Sequence, residues 1–245
     1  MRFSNKTALI TGAGVGIGRA TAVKMATEGA KIIAVDINES ELKALKSEIE
    51  TLGGEILTIV CDVSDENAVN NTVTHAKEKF GKIDILINNA ALWRCKTAFI
   101  DTPVEEWKKF FDINVMGVVY FTRALLPNMI TSGYGRIVNV ASVAGVYGNA
   151  RMVHYSATKG AIISMTKALA KEVCDKGVLV NAVSPGTVTS SEFHDYTLTT
   201  DSQANYMGRT GSDAENANLI CFLASDEATY ISGQNIQIDG SRKMI

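Results

Sequence analysis

The stretch KTALITGAGVGIGRATAVKMATEGAKIIAVD, Lys6 to Asp36, decides the fold. Thr7 to Ile10 is a short apolar run of strand length. Thr11 to Gly18 carries Gly12, Gly14, Gly16 and Gly18, and the helical segment RATAVKMATEG follows. Lys31 to Val35 is a second strand-like run, and it ends on Asp36, eighteen residues after Gly18. A strand, a glycine turn and a helix in this order bring backbone amides and the positive end of the helix dipole to one point, where a pyrophosphate can sit. Gly12, Gly16 and Gly18 supply the tight turn, the close backbone approach and the close helix–sheet packing. Val15 and Ile17 complete the turn beside Gly14.

Asp36 sharpens this reading. A carboxylate at the end of the second strand accepts hydrogen bonds from both hydroxyls of an adenosine ribose and repels a 2′-phosphate. Val15 offers no positive charge to neutralise that phosphate. The expected cofactor is therefore NAD rather than NADP. Taken alone, the glycine turn is an ordinary connection and Asp36 an ordinary turn residue; together they form a binding unit.

The same alternation continues along the chain. Glu55–Cys61, Lys82–Asn88, Arg136–Ala141, Val178–Ser184 and Asn235–Asp239 complete seven strands, separated by segments of helical period. This pattern predicts an α/β protein: a doubly wound Rossmann fold with a seven-stranded parallel sheet and helices on both faces. Ser40 or Asn38 caps the helix that stops at Gly53-Gly54, and Ser64 or Asp65 caps the one that stops at Gly81. No repeat or linker interrupts the 245 residues, so a single domain spanning 1–245 is expected.

Composition excludes several classes. A net charge of −2 gives no basic footprint for nucleic acid, and the apolar runs read as strand-length, far short of a membrane span. Cys61, Cys95, Cys174 and Cys221 show no paired spacing and read as reduced, mostly buried cytoplasmic thiols. His75, His154 and His194 offer no metal-ligand pattern, so no metal is expected.

In the second half, Tyr155 and Lys159 stand four residues apart in YSATK, about 40° apart on one helical face. A tyrosine needs a downward shift of about three units to act as a base near neutral pH, roughly 4 kcal/mol. One positive charge about 4 Å away, at an effective dielectric near 20, supplies that amount.

These motifs together resemble the short-chain dehydrogenase/reductase family: Thr11, Gly12, Gly16 and Gly18 in its T-G-x-x-x-G-x-G spacing, the CDV around Asp62, the NNA at Asn88 to Ala90, Asn114, Ser142, YSATK, and NAVSPG at Asn181 to Gly186. The resemblance extends over essentially the whole chain. It implies that Asp62 and Val63 contact the adenine, Asn89 lies along the cofactor ribose, and Val188, past Pro185 and Gly186, bonds the nicotinamide carboxamide through its backbone. It assigns proton transfer to Tyr155, the substrate oxygen to Ser142, ribose binding and tyrosine activation to Lys159, and a water link to solvent to Asn114. Each residue also has a plainer reading as a cap, turn or packing residue. Ala91 and Ser241 depart from the family pattern.

The expected activity is interconversion of a secondary alcohol and a ketone by hydride transfer. Leu92, Trp93, Val146, Tyr147, Met152, Phe193, Tyr196 and Met207 make the substrate wall and the lid, about 187–210, look apolar. That favours a bulky hydrophobic substrate such as a hydroxysteroid, with Asn149 or Arg94 available to a polar ligand. The sequence also resembles 3-oxoacyl carrier-protein reductases, so a 3-oxoacyl thioester is the main alternative, with a sugar or polyol beside it. A non-catalytic NAD-binding regulator is the remote one. The resemblance further implies a homotetramer, paired through the helices holding Asn114 to Thr131 and Tyr155 to Lys176.

Overall fold

The computed structural model describes residues 1–93, 96–189 and 205–243. Seven parallel strands form one sheet: β1 Thr7–Thr11, β2 Lys31–Asp36, β3 Ile56–Val60, β4 Ile85–Asn88, β5 Gly135–Val140, β6 Val178–Pro185 and, last in the chain, β9 Asn235–Ile238. Their order is β3-β2-β1-β4-β5-β6-β9, with every neighbouring pair parallel. The order reverses between β1 and β4, and the crevice beyond the carboxyl ends of these two strands is where doubly wound sheets bind ligands.

Strands β1, β4 and β5 are buried along their whole length, because helices cover both faces. On one face α1 Gly16–Thr27, α2 Glu39–Thr51 and α8 Asp213–Leu223 close a core that includes Ile10, Met25, Ile32, Leu45 and Ile220. On the other, α3 Glu66–Phe80, α5 Gly117–Ser132 and α7 Val153–Val173 close one containing Leu9, Ile33, Val73, Phe121 and Met129. The caps left open between two residues resolve to Asn38, whose side chain accepts from the amides of Ser40 and Glu41, and Asp65, which accepts from Asn67 and Ala68. A small pair, β7 Val188–Thr189 with β8 Gly211–Ser212, was not legible as strand, since two residues carry no alternation.

One helical rod corrects the expectation of strand-length apolar runs. α4 Val104–Phe111, a π turn at Asp112–Met116 and α5 form a continuous helix, Val104–Ser132, long and apolar enough by composition to cross a membrane. Phe110, Asn114, Phe121, Leu125 and Met129 are buried along it, and Phe121, Leu125 and Met129 pack onto the sheet, so its apolarity is that of a core helix.

Candidate active site

The glycine turn is shaped by contacts that exclude side chains. Gly12 has φ +62°, and a Cβ there would lie 2.8 Å from Ala90 Cα; a Cβ on Gly18 would collide with the carbonyl oxygen of Gly12. Thr11 ties this turn to the end of β4: its hydroxyl oxygen accepts from the amides of Asn89 at 3.0 Å and Ala90 at 3.1 Å. Asn89 returns the contact, donating its side-chain amide to Thr11 O and Gly12 O at 3.0 and 2.9 Å. No side chain caps α1 at Val15, so the first-turn amides point into the crevice. Ile17 leans on the core.

Asp36 is half-buried at the tip of β2. One carboxylate oxygen accepts from Gly14 N and the other from Asn38 N, each at 2.9 Å. A carboxylate has about four acceptor positions, so each oxygen retains capacity for a ribose hydroxyl. The nearby cation, Arg19, is engaged by Glu48 at 2.7 Å and faces Glu41 at 3.9 Å. Asp62 accepts from the amide and hydroxyl of Ser64, which fixes the turn after β3, and Val63 packs on Gly117. At the far side, Pro185 O accepts from Val143 N, Gly186 N donates to Ile238 O, and Val188 lies in the β7–β8 pair. Backbone amides, a glycine cradle and a carboxylate at the tip of β2 form a donor and acceptor set that fits a dinucleotide.

The residues expected from the sequence to handle the proton come from β5 and α7. Ser142 follows β5, and its hydroxyl oxygen accepts from Ala144 N at 3.1 Å, holding the side chain in a fixed turn. Lys159 is almost completely buried; its ammonium donates to Val140 O at 2.7 Å and sits 5.8 Å from the centre of the Tyr155 ring. Burial lowers its pKa to about 8. A positive charge beside the Tyr155 ring acts in the direction that favours a tyrosinate.

Asn114 occupies the π turn, where Gly117 N reaches back five residues to Asp112 O. Its side chain accepts from Leu92 N at 2.7 Å and donates to Leu92 O and Thr158 Oγ1 at 2.9 and 3.2 Å. These partners use the side chain, so a water link of the kind expected would fall to its backbone carbonyl. Thr158 was not singled out from the sequence, and Leu92 was read there as part of the substrate wall rather than as a backbone partner of Asn114.

On the substrate side, Trp93 is partly exposed, and Met152 stands at the start of α7. Asn149 donates its backbone amide to Ser156 Oγ and accepts from Arg242 Nη2 at 3.2 Å. Arg94, Cys95, Ser190, Phe193, His194 and Tyr196 lie outside the described residues, as does most of the 187–210 lid. Among the described residues no cluster with metal-ligating composition occurs.

Residues 6–200 match the family model described as short chain dehydrogenase. The chain belongs to this family. As a short-chain dehydrogenase it is an oxidoreductase acting on CH–OH groups with a nicotinamide cofactor. A 3-oxoacyl-(acyl-carrier-protein) reductase of Thermotoga maritima is 40% identical over 243 residues, covering 98% of each chain. A 2-dehydro-3-deoxy-L-rhamnonate dehydrogenase (NAD(+)) of Sphingomonas sp. is 35% identical over 247 residues, 98% of this chain and 96% of that one. The crystal structure of NAD+-bound xylitol dehydrogenase superimposes with a TM-score of 0.93 at 33% identity, covering 98% of this chain and 100% of that one.

These relatives favour the polar alternatives over the hydroxysteroid expected from the sequence. The described wall is also less apolar than a residue count suggested: Tyr147 is bonded through its hydroxyl to Gln237, and Asn149 to Arg242.

Proposed function

We propose that this short-chain dehydrogenase uses NAD(H) to interconvert a 3-oxoacyl thioester and its 3-hydroxy form, with Tyr155 as the proton-transferring residue. The observation that carries the cofactor choice is Asp36, anchored by Gly14 and Asn38 at the ribose position, with Arg19 engaged by Glu48. A 2′-phosphate would meet the Asp36 carboxylate, and the described cation beside it, Arg19, is already engaged by Glu48. Similarity to the Thermotoga maritima reductase supports the thioester. A second reading, oxidation of a sugar acid or polyol, is favoured by the NAD-linked names of two of the relatives.

In this reading Gly12, Gly14, Val15, Gly16, Ile17 and Gly18 hold the pyrophosphate, Asp36 the ribose, Asp62 and Val63 the adenine, and Asn89, Lys159, Pro185, Gly186 and Val188 the nicotinamide half. The bound cofactor supplies hydride exchange at the carbinol carbon. Ser142 presents its hydroxyl to the substrate oxygen from a fixed turn. Tyr155 gives or takes the proton at that oxygen, and Lys159 keeps a positive charge beside it. Val140 O fixes the ammonium from below, so the charge is pre-oriented rather than solvated.

The test uses the purified enzyme and acetoacetyl-N-acetylcysteamine, following absorbance at 340 nm. NADH is expected to exceed NADPH at least 100-fold in kcat/KM, and Asp36→Ala is expected to erase most of that gap. Equal use of both cofactors by the wild type would refute the assignment to Asp36.

The protein is further proposed to be a cytoplasmic homotetramer. Cys61, Cys174 and Cys221 are free thiols, and the small residues Ala157 and Ser164 lie on the exposed face of α7, where a second copy of the helix can approach closely. Sedimentation as a monomer at micromolar concentration would contradict the tetramer.

A further inference from the structure

The loop from Ser142 to Tyr155 carries a proposed active residue at each end, so whatever holds its middle influences both. Asn149 is that middle point. Its backbone amide donates to Ser156 Oγ, on the residue after Tyr155, and its side-chain oxygen accepts from Arg242. Arg242 belongs to the C-terminal segment, which turns at Ser241 with φ +61° and is held by Asp239, whose carboxylate accepts from the backbone amides of Ser241 and Arg242.

The same segment is fastened to the base of the lid. Tyr206 N donates to Ser241 O, Met207 N donates to Gly240 O, and Asn205 forms an antiparallel bridge with Arg242. Arg242 therefore lies where the loop, the base of the lid and the chain end converge.

Its charge is the informative feature. Arg209, at the same lid base, is neutralised by Glu215 at 2.6 Å. Arg242 is half-buried, and its described side-chain hydrogen bond is to a neutral amide oxygen, with no ion-pairing carboxylate among the described residues. Lys243, the neighbouring cation, sits 5.4 Å from the Tyr206 ring centre, again with no described carboxylate. A guanidinium has five donors, and Asn149 takes one; the others are suited to two oxygens of an anion. Arg242 thus keeps unused donors beside the Ser142 to Tyr155 loop, with no carboxylate among the described residues to take them.

The geometry points to Arg242 as a substrate-recognition residue for an anionic group, a carboxylate or a phosphate ester, carried by the substrate away from its reacting carbon. This rests on the proposed dehydrogenase reading and adds to it a requirement on the substrate. It also assigns to the segment around Arg242 a function in specificity. A neutral substrate of the same shape loses that contact.

Matched probe pairs test this. Acetoacetyl-phosphopantetheine against acetoacetyl-N-acetylcysteamine reports a phosphate, and xylonate against xylitol reports a carboxylate. The wild type is expected to prefer the anionic member of one pair by on the order of tenfold to hundredfold in kcat/KM, mostly through KM. Arg242→Gln, which can still bond Asn149, is expected to level the two members, and Arg242→Lys to restore part of the preference.

A binding readout separates this inference from the activity on which it rests. Malonate and inorganic phosphate, each at constant ionic strength, are added to the NADH-loaded protein and Tm is followed. A rise in the wild type that Arg242→Gln loses supports the site even if no probe is turned over, in which case it is the proposed substrate class that fails. Turnover of the neutral probes without anion preference and without a Tm response overturns the inference alone, as does an anion response that persists in Arg242→Gln.

Discussion

Lys159 shows how the site is set at the scale of one residue. A lysine enclosed by β5 and α7 is held below its ordinary pKa, at about 8, because burial penalises the ammonium. The unfolded chain therefore binds more protons than the folded one between about pH 8 and 10.5, and stability rises with pH across that window. Below pH 8 the full penalty applies, about 3 kcal/mol for a shift of this size. Lys159→Met is accordingly expected to be more stable than the wild type at pH 7, by roughly 1–3 kcal/mol, with the advantage shrinking toward pH 10 and the activity lost. Urea unfolding at the two pH values measures it, and a variant clearly less stable at pH 7 would contradict the assignment. At neutral pH the residue remains mostly protonated, which is the state a tyrosinate needs beside it.

At the scale of elements, the strands and helices reach the site through a buried polar ladder. Asn88 donates to Asn139 at 2.9 Å and to Thr122 at 3.3 Å, and Asn139 donates to Thr166 at 2.9 Å, so β4, β5, α5 and α7 are linked inside the protein. Asn139→Leu removes the acceptor for one Asn88 amide hydrogen and the donor to Thr166 Oγ1, while Thr166 still donates to Ile162 O and Asn88 to Thr122, and is expected to cost about 1–3 kcal/mol. Chemical denaturation checks the cost; a change below about 0.5 kcal/mol would show that the ladder tolerates an apolar rung.

The elements themselves were readable from sequence because they repeat. Strand-length apolar runs alternate with helical period, and Asn38 and Asp65 each stand next to the helix they cap. The details that failed were those without a local pattern. The π turn at Asn114 depends on the helix meeting Leu92 and Thr158, and β7 and β8 are two residues each. The site follows the same division. Gly12 and Gly18 were legible because backbone geometry demands glycine, and Asp36 because it ends a strand next to that turn, whereas the proposed role of Arg242 had no local signal: its partners lie 93 residues away at Asn149 and 37 away at Asn205.

At the scale of the whole molecule, two sets of elements supply two separable contributions. β1, β2 and α1 build the proposed cofactor cradle, while β5, α7 and the loop between them carry Ser142, Tyr155 and Lys159. The sheet order brings both to the carboxyl edge, on either side of the point where the order reverses between β1 and β4. Removing one phenolic oxygen should therefore leave cofactor binding intact and remove the proton transfer.

Tyr155→Phe tests this most directly, with NADH binding read by fluorescence and turnover of acetoacetyl-N-acetylcysteamine read at 340 nm on the same preparation. The expected result is an NADH Kd within about threefold of the wild type and a kcat lower by about 10²–10⁴. Turnover within tenfold of the wild type would contradict the account.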